Sequence, residues 1–173
     1  MQLISFFTKA LHYLPSELSH FIALKGLKAA HSLGLLNFLY KSHALGVVND
    51  ESDNLFQLKN KIGIAAGLDK NGDYIDCLAA LGVGFIEVGT VTPKPQFGNP
   101  KPRIFRDRKN KSILNRLGFN NKGVDYLVER LKQRKSNVIL GSSVGKNFDT
   151  ENANAYVDYL LCIEKVYEYS DYI

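Results

Sequence analysis

Over the first 43 residues apolar side chains return at helical intervals. Leu3, Phe7, Leu11 and Leu14 fall four, four and three apart, Pro15-Ser16-Glu17 interrupts, and Leu18, Phe21 and Ile22 open a second stripe. Two short amphipathic helices are predicted, followed by a polar connection over 44–60 that contains NDESDN at 49–54. Beyond residue 60 the period changes. IGIAAGL (62–68), FIEVGTV (85–91) and VILGSSVG (138–145) are short apolar runs of buried-strand type. Between them Ile75, Leu78 and Ala79 keep helical spacing up to Gly82, and Val124, Leu127, Val128 and Leu131 mark another helix. Thr150 is placed to cap a further helix that turns Tyr156, Leu160, Ile163 and Val166 inward, and DYI (171–173) opens a fourth strand. Strands that are apolar almost throughout and alternate with helices predict an α/β fold, a parallel sheet covered by helices. No internal repeat accompanies the alternation.

Composition narrows the class. With 173 residues, 45% hydrophobic and 23% charged, the chain is a globular domain with a real core. No run reaches the roughly 18 to 20 apolar residues of a membrane-crossing helix, and the N-terminus lacks the charge order and cleavage site of a secretory signal. Cys77 and Cys162 sit in separate helical patterns without metal-ligand spacing. They are read as core thiols of a protein in reducing cytosol, with no metal site. The net charge of +5 is concentrated: KPRIFRDRKNK (101–111) sets six basic residues against one Asp. Such a stretch suits phosphates, carboxylates or an anionic membrane, and it also suits a solvated basic hairpin. In the helix pair, Lys9, Lys25, Lys28 and Lys41 outnumber Glu17, while Phe6, Phe7, Phe21 and Ile22 cluster early. This fits a helix pair lying in a membrane interface as well as a helical cap on its own domain.

In parallel α/β folds ligands meet the loops that leave the C-terminal ends of strands. The first such loop, AAGLDKNG, has Ala65, Ala66 and Gly67 to let a flat ligand approach the backbone, with Lys70 beside them. The second, GTVTPKPQFGNPKPR, is too long for a turn and carries four prolines, so an ordered flap is predicted. It leads into ILNRLGFNNKG, where Asn115, Asn120 and Asn121 surround Phe119. The third is SSVGKNFDT.

AAGLDKNG, IEVGTVTPKPQ with GNPKPR and FR, and NRLGFNNKGVD, in this order and spacing, closely resemble class 2 dihydroorotate dehydrogenase, as does the Pro-x-x-x-x-His element from Pro15 to His20. The resemblance spans nearly the whole chain. It implies a (β/α)8 TIM barrel with FMN at the strand C-termini, oxidation of dihydroorotate to orotate in pyrimidine biosynthesis, and return of the electrons to a membrane quinone. Position by position, Ala66, Gly67, Thr90 and Ser143 match residues around the flavin, and Lys70 matches the lysine that meets both flavin and the orotate carboxylate. Asn115 with Arg116, Leu117, Gly118 and Phe119 matches the segment that holds the pyrimidine ring. His20 and Arg106 match polar residues of the quinone passage, whereas His12, His31 and His43 match nothing. The family is further expected to be cytoplasmic, held peripherally at the inner cell membrane, with no nucleic-acid partner.

On this resemblance the chain divides into a helix pair for membrane and quinone access (1–43), a linker (44–60), and about three and a half βα units of the barrel (61–173), stopping as strand four begins. The family's usual strand asparagine is Ser143 here, in GSSVG. The proton-abstracting residue is expected beyond Ile173, so no catalytic residue is assigned within the chain, which is expected to be inactive by itself. Two other readings stay open: a non-catalytic module that binds membrane or anions, and half of another flavin barrel such as a tRNA-modifying reductase.

Overall fold

The structure, a computed structural model, describes residues 9–36, 58 and 60–173. Most of the predicted 44–60 linker, the early residues Leu3, Phe6 and Phe7, and Lys41 and His43 lie outside the described residues. In chain order the elements are α1 (Ser16–Ser32), β1 (Gly63–Ile64), α2 (Ile75–Ala79), β2 (Phe85–Val91), β3 (Ile104–Asp107), β4 (Ser112–Asn115), α3 (Val124–Lys132), β5 (Ile139–Val144) and α4 (Ala155–Val166). The central sheet is parallel in the order β1-β2-β5, with Gly63 beside Phe85 and Phe85 beside Ile139. The predicted alternation is therefore present. At the open side of β5, Tyr172 forms a parallel bridge with Gly141, where DYI was expected to open a strand. A Cβ on Gly141 would fall 2.2 Å from the Tyr172 ring, so only glycine lets this segment lie so close. β1 is shorter than its apolar run predicts. After Ile64 the chain leaves the sheet through Ala65 and Ala66 to Gly67, whose N–H bonds the carbonyl of Gly89 at 2.8 Å.

The core lies between this sheet and its helices. Ile86, Val88, Val91 and Leu140 from the strands meet Ile75 and Leu78 of α2, Val124, Leu127 and Leu131 of α3, and Cys162 and Val166 of α4. Leu24 of α1 joins the same cluster. Both cysteines are free and buried. Burial pushes the Cys77 thiol up to about 11 and the Cys162 thiol up to about 12, which keeps them neutral core residues. Two expectations for α4 are corrected. Thr150 does not cap it: the threonine hydroxyl donates to Asp158 Oδ2 at 2.7 Å, and a 3-10 turn at Asn152–Asn154 precedes the helix. Nor do Tyr156 and Leu160 face inward, being 63% and 53% exposed. The helix is apolar on two sides, so its periodicity admits two phases, and packing selects the side of Cys162 and Val166.

β3 and β4 form a separate antiparallel hairpin on which the N-terminal segment rests. Residues 9–11 are helical and lead through Pro15 into α1. Arg106 of β3 donates to the carbonyls of Leu14 (2.7 Å) and His12 (3.1 Å) and to Ser19 Oγ (2.9 Å), satisfying the acceptors that a helix end leaves unpaired. Glu17 accepts from Arg103 Nε at 2.8 Å and pairs with Lys101 at 3.2 Å. Among the described residues no helix is long and apolar enough to cross a membrane.

The outward position of Leu160 on α4 is directly testable against a buried leucine of α3. Leu127→Ala, at a fully buried position, is expected to cost about 2 to 5 kcal/mol, and Leu160→Ala no more than about 0.5 kcal/mol. Urea unfolding of the two variants measures the contrast.

Candidate functional site

The loops after β1, β2 and β5 meet at one end of the sheet and are locked together by asparagines. Asn121, buried, accepts from Gly123 N at 2.7 Å and donates to Thr92 Oγ1 at 2.9 Å and to the Phe119 carbonyl at 2.7 Å. From the loop after β5, Asn147 Nδ2 donates to the Lys94 carbonyl (2.9 Å) and Gln96 Oε1 (3.0 Å). Gln96 in turn bridges Asn121 through the backbone. The proline-rich segment is thus ordered, as predicted. Arg103 completes it, donating to the carbonyls of Phe97 at 2.6 Å and Asn99 at 3.1 Å.

Beneath this flap, α1 and the loop after β1 enclose a cleft of about 450 Å³ whose lining includes Glu17, His20, Gly67, Lys70, Leu117 and Asn120. Asp69 shapes its floor. Buried at 2% exposure, its carboxylate accepts the N–H groups of Asp73 (2.9 Å) and Tyr74 (2.7 Å), fixing the turn that precedes α2 and presents Lys70. Burial raises the pKa of Asp69 against the opposing pull of those bonds. Lys70 has no hydrogen-bond or ion-pair partner among the described residues. Burial and then repulsion by Arg103 lower its pKa, and Glu17 opposes both. His20 is shifted down by burial and by Lys70, again opposed by Glu17. Asn120 Oδ1 is buried without a hydrogen-bond partner. An uncompensated ammonium beside an unused amide acceptor is a place for a ligand that brings both negative charge and a donor.

The remaining expected residues fall into three groups. Thr90 and Ser143, at the ends of β2 and β5, face each other with their hydroxyl oxygens 2.9 Å apart. Gly67 adopts φ +102° with nothing within 4 Å of a built Cβ, so the space over its backbone is open, and Ala66 beside it is half-buried. Asn115, Arg116, Gly118 and Phe119 are exposed along the return from the hairpin and do not line the Lys70 cleft, although Leu117 of the same segment does. Arg106 is remote from Lys70 in this sense too: it lines a different groove with Lys9 and His12. Sequence reasoning passed over Asp69, Glu17 and Arg103. The only signal for the last two was opposite charge far apart in sequence, which becomes a contact only after folding.

The profile of the family described as dihydroorotate dehydrogenase matches residues 54–173. A dihydroorotate dehydrogenase (quinone) of Acinetobacter baylyi is 52% identical over 160 residues, which are 92% of this chain and 46% of that protein. The protein of the same name from Buchnera aphidicola is 62% identical over 114 residues, 66% of this chain and 34% of its own length. Among solved structures, a dihydroorotate dehydrogenase of Eimeria tenella in complex with ferulenol superposes with a TM-score of 0.62 at 36% identity, covering 84% of this chain and 42% of that one. The chain spans about half the length of the quinone-linked relatives it matches.

The lowered His20 pKa sets a pH dependence. Below the ordinary histidine value of 6.5 the unfolded chain takes up a proton that the folded chain resists. Stability is therefore lost as pH falls from 6.5 through the folded value. His20→Gln is expected to flatten this part of the profile, read as denaturant midpoints between about pH 7 and pH 5.

Proposed function

The chain belongs to the dihydroorotate dehydrogenase family, and from that membership we propose that it supplies flavin-, substrate- and acceptor-facing residues of an enzyme that oxidises dihydroorotate to orotate with a quinone as electron acceptor. In this reading β1, β2 and β5 with their helices are the first units of a (β/α)8 barrel, and the ligands lie at the strand ends where the loops converge. The observation that carries it is Lys70, a half-buried ammonium with no hydrogen-bond or ion-pair partner among the described residues, in the cleft between α1 and the loop after β1. A carboxylate or a reduced flavin brings the negative charge this position lacks.

The residues present fit FMN. Gly67 leaves open space above its backbone and Ala66 adds no bulk, so a flat ring has room. The Thr90 and Ser143 hydroxyls and the Lys70 ammonium offer polar contacts. FMN, when bound, supplies the two-electron acceptor for the substrate and passes those electrons on. Asn115, with 116–119, serves the pyrimidine ring, whose amide edges need both donors and acceptors. His20, on α1, faces the acceptor side, and Arg106 serves that passage by holding the helix turn that walls it. Exposed Leu18, Phe21 and Ile22 on α1, with Lys25 over the Phe21 ring, suit peripheral attachment to a membrane.

A chimera tests the reading: residues 1–173 replace the matching segment of the Acinetobacter baylyi relative. It is expected to oxidise dihydroorotate with a quinone, and Lys70→Ala is expected to weaken orotate binding by about 1.5 to 3 kcal/mol and to cripple turnover. Wild-type kinetics in the Lys70 variant would remove the assignment. In the same chimera Ser143→Asn is expected to tighten FMN by about 1 kcal/mol, the net worth of one hydrogen bond. Fluorescence titration of the flavin measures it, and unchanged or weaker binding means that Thr90 and Ser143 act together as a pair that asparagine breaks.

A further inference from the structure

Apart from Arg106, the basic run in β3–β4 is not absorbed by the site above. Arg106, Arg108 and Lys111 from the hairpin and Lys9 from the N-terminal segment line one groove of about 530 Å³, together with His12, Tyr13 and Ile113. Asp107 is the one carboxylate in that lining. It is folded back onto the hairpin turn, accepting from Asn110 N at 3.1 Å and Asn110 Nδ2 at 2.7 Å. Lys9 and Lys111 make no ion pair among the described residues. Arg108 donates to the His12 carbonyl at 3.1 Å and lies 5.8 Å from the centre of the Tyr13 ring, which holds its guanidinium against the groove wall. Two apolar residues of the lining reach into solvent: Tyr13 is 82% and Ile113 68% exposed.

We propose that this groove is a headgroup site for an anionic phospholipid, the phosphate meeting Lys9, Arg108 and Lys111 while Tyr13 and Ile113 reach toward the acyl chains. The inference rests on the reading that the protein works at a membrane, and it adds which lipid is taken and where. A site for a soluble phosphate has no use for an exposed aromatic and an exposed isoleucine on opposite walls, whereas a bilayer surface offers phosphate and hydrocarbon side by side. Residues 9–15 run directly into α1, which repeats the combination of exposed apolar side chains with lysine at Leu18, Phe21, Ile22 and Lys25.

The test is flotation of the 173-residue chain with phosphatidylcholine vesicles, with and without phosphatidylglycerol. Phosphatidylglycerol is expected to strengthen binding, and Lys9→Gln, Arg108→Gln and Lys111→Gln to weaken it about fivefold each, the effect of one cation at an anionic surface. A control that removes the same charge elsewhere, Lys61→Gln with Lys132→Gln and Lys135→Gln, is expected to retain most of the preference. The charge-keeping set Lys9→Arg, Arg108→Lys and Lys111→Arg is expected to bind as wild type. If the triple glutamine variant loses its helical circular dichroism, the single Lys9 and Lys111 variants decide. No preference for phosphatidylglycerol, equal losses in groove and control variants, or displacement by inorganic phosphate beyond that by sodium chloride of equal ionic strength would each overturn the site. None of these outcomes bears on dihydroorotate oxidation, which the chimera decides separately.

Discussion

The pairing of Arg103 with Glu17 is the joint on which the rest of the site depends. Arg103 is 8% exposed and spends its guanidinium in two directions, on the flap carbonyls of Phe97 and Asn99 and on the Glu17 carboxylate of α1. A buried guanidinium is tolerable only when it is paired and hydrogen-bonded in this way, and a buried charge that loses its partner costs several kcal/mol. The contact fixes the helix, the flap and the cleft between them at once. Burial raises the Glu17 carboxyl, but bonds from Arg103 and Lys101 more than offset it and hold the group below its usual range, so it stays ionised where it is needed. The same two residues set the field at the cleft: Arg103 pushes against protonated Lys70, and Glu17 supports both Lys70 and His20.

What the sequence disclosed follows from what short-range physics encodes. Period and apolar content located β2, β5 and α3 to within a residue or two, because each buries a continuous or helically spaced set of side chains. The face of α4 was misread because Tyr156, Leu160 and Leu161 are as apolar as the buried Cys162 and Val166. Hydrophobicity alone does not say which side has a neighbour. β1 was overestimated for a related reason, since Ala65 and Ala66 extend the apolar run while the backbone has already turned toward Gly89. Of the candidate residues, Lys70 and Gly67 were legible through their motif, and the structure brings them together with His20 and Leu117. The clamp of Arg106 on the turn before α1 was not legible, because it depends on carbonyls more than 90 residues away in sequence.

The family assignment also orders the competing readings. The match over residues 54–173 and the named relatives leave no reason to favour a tRNA-modifying barrel, and the positive charge has a local explanation in the hairpin groove. The two candidate surfaces are then distinct places on one chain: one groove between the N-terminal segment and the hairpin, one cleft between α1 and the loop after β1.

The two cysteines carry a practical consequence. Reaction with maleimides or spin-label reagents needs an accessible thiolate, and Cys77 and Cys162 are the chain's entire cysteine content. Both are buried, with thiols pushed up to about 11 and about 12. Residues 1–173 are therefore a silent background for chemical labelling. A single cysteine introduced on α1 or at the hairpin tip would carry a probe selectively, so the surroundings of each surface become readable without first removing Cys77 or Cys162.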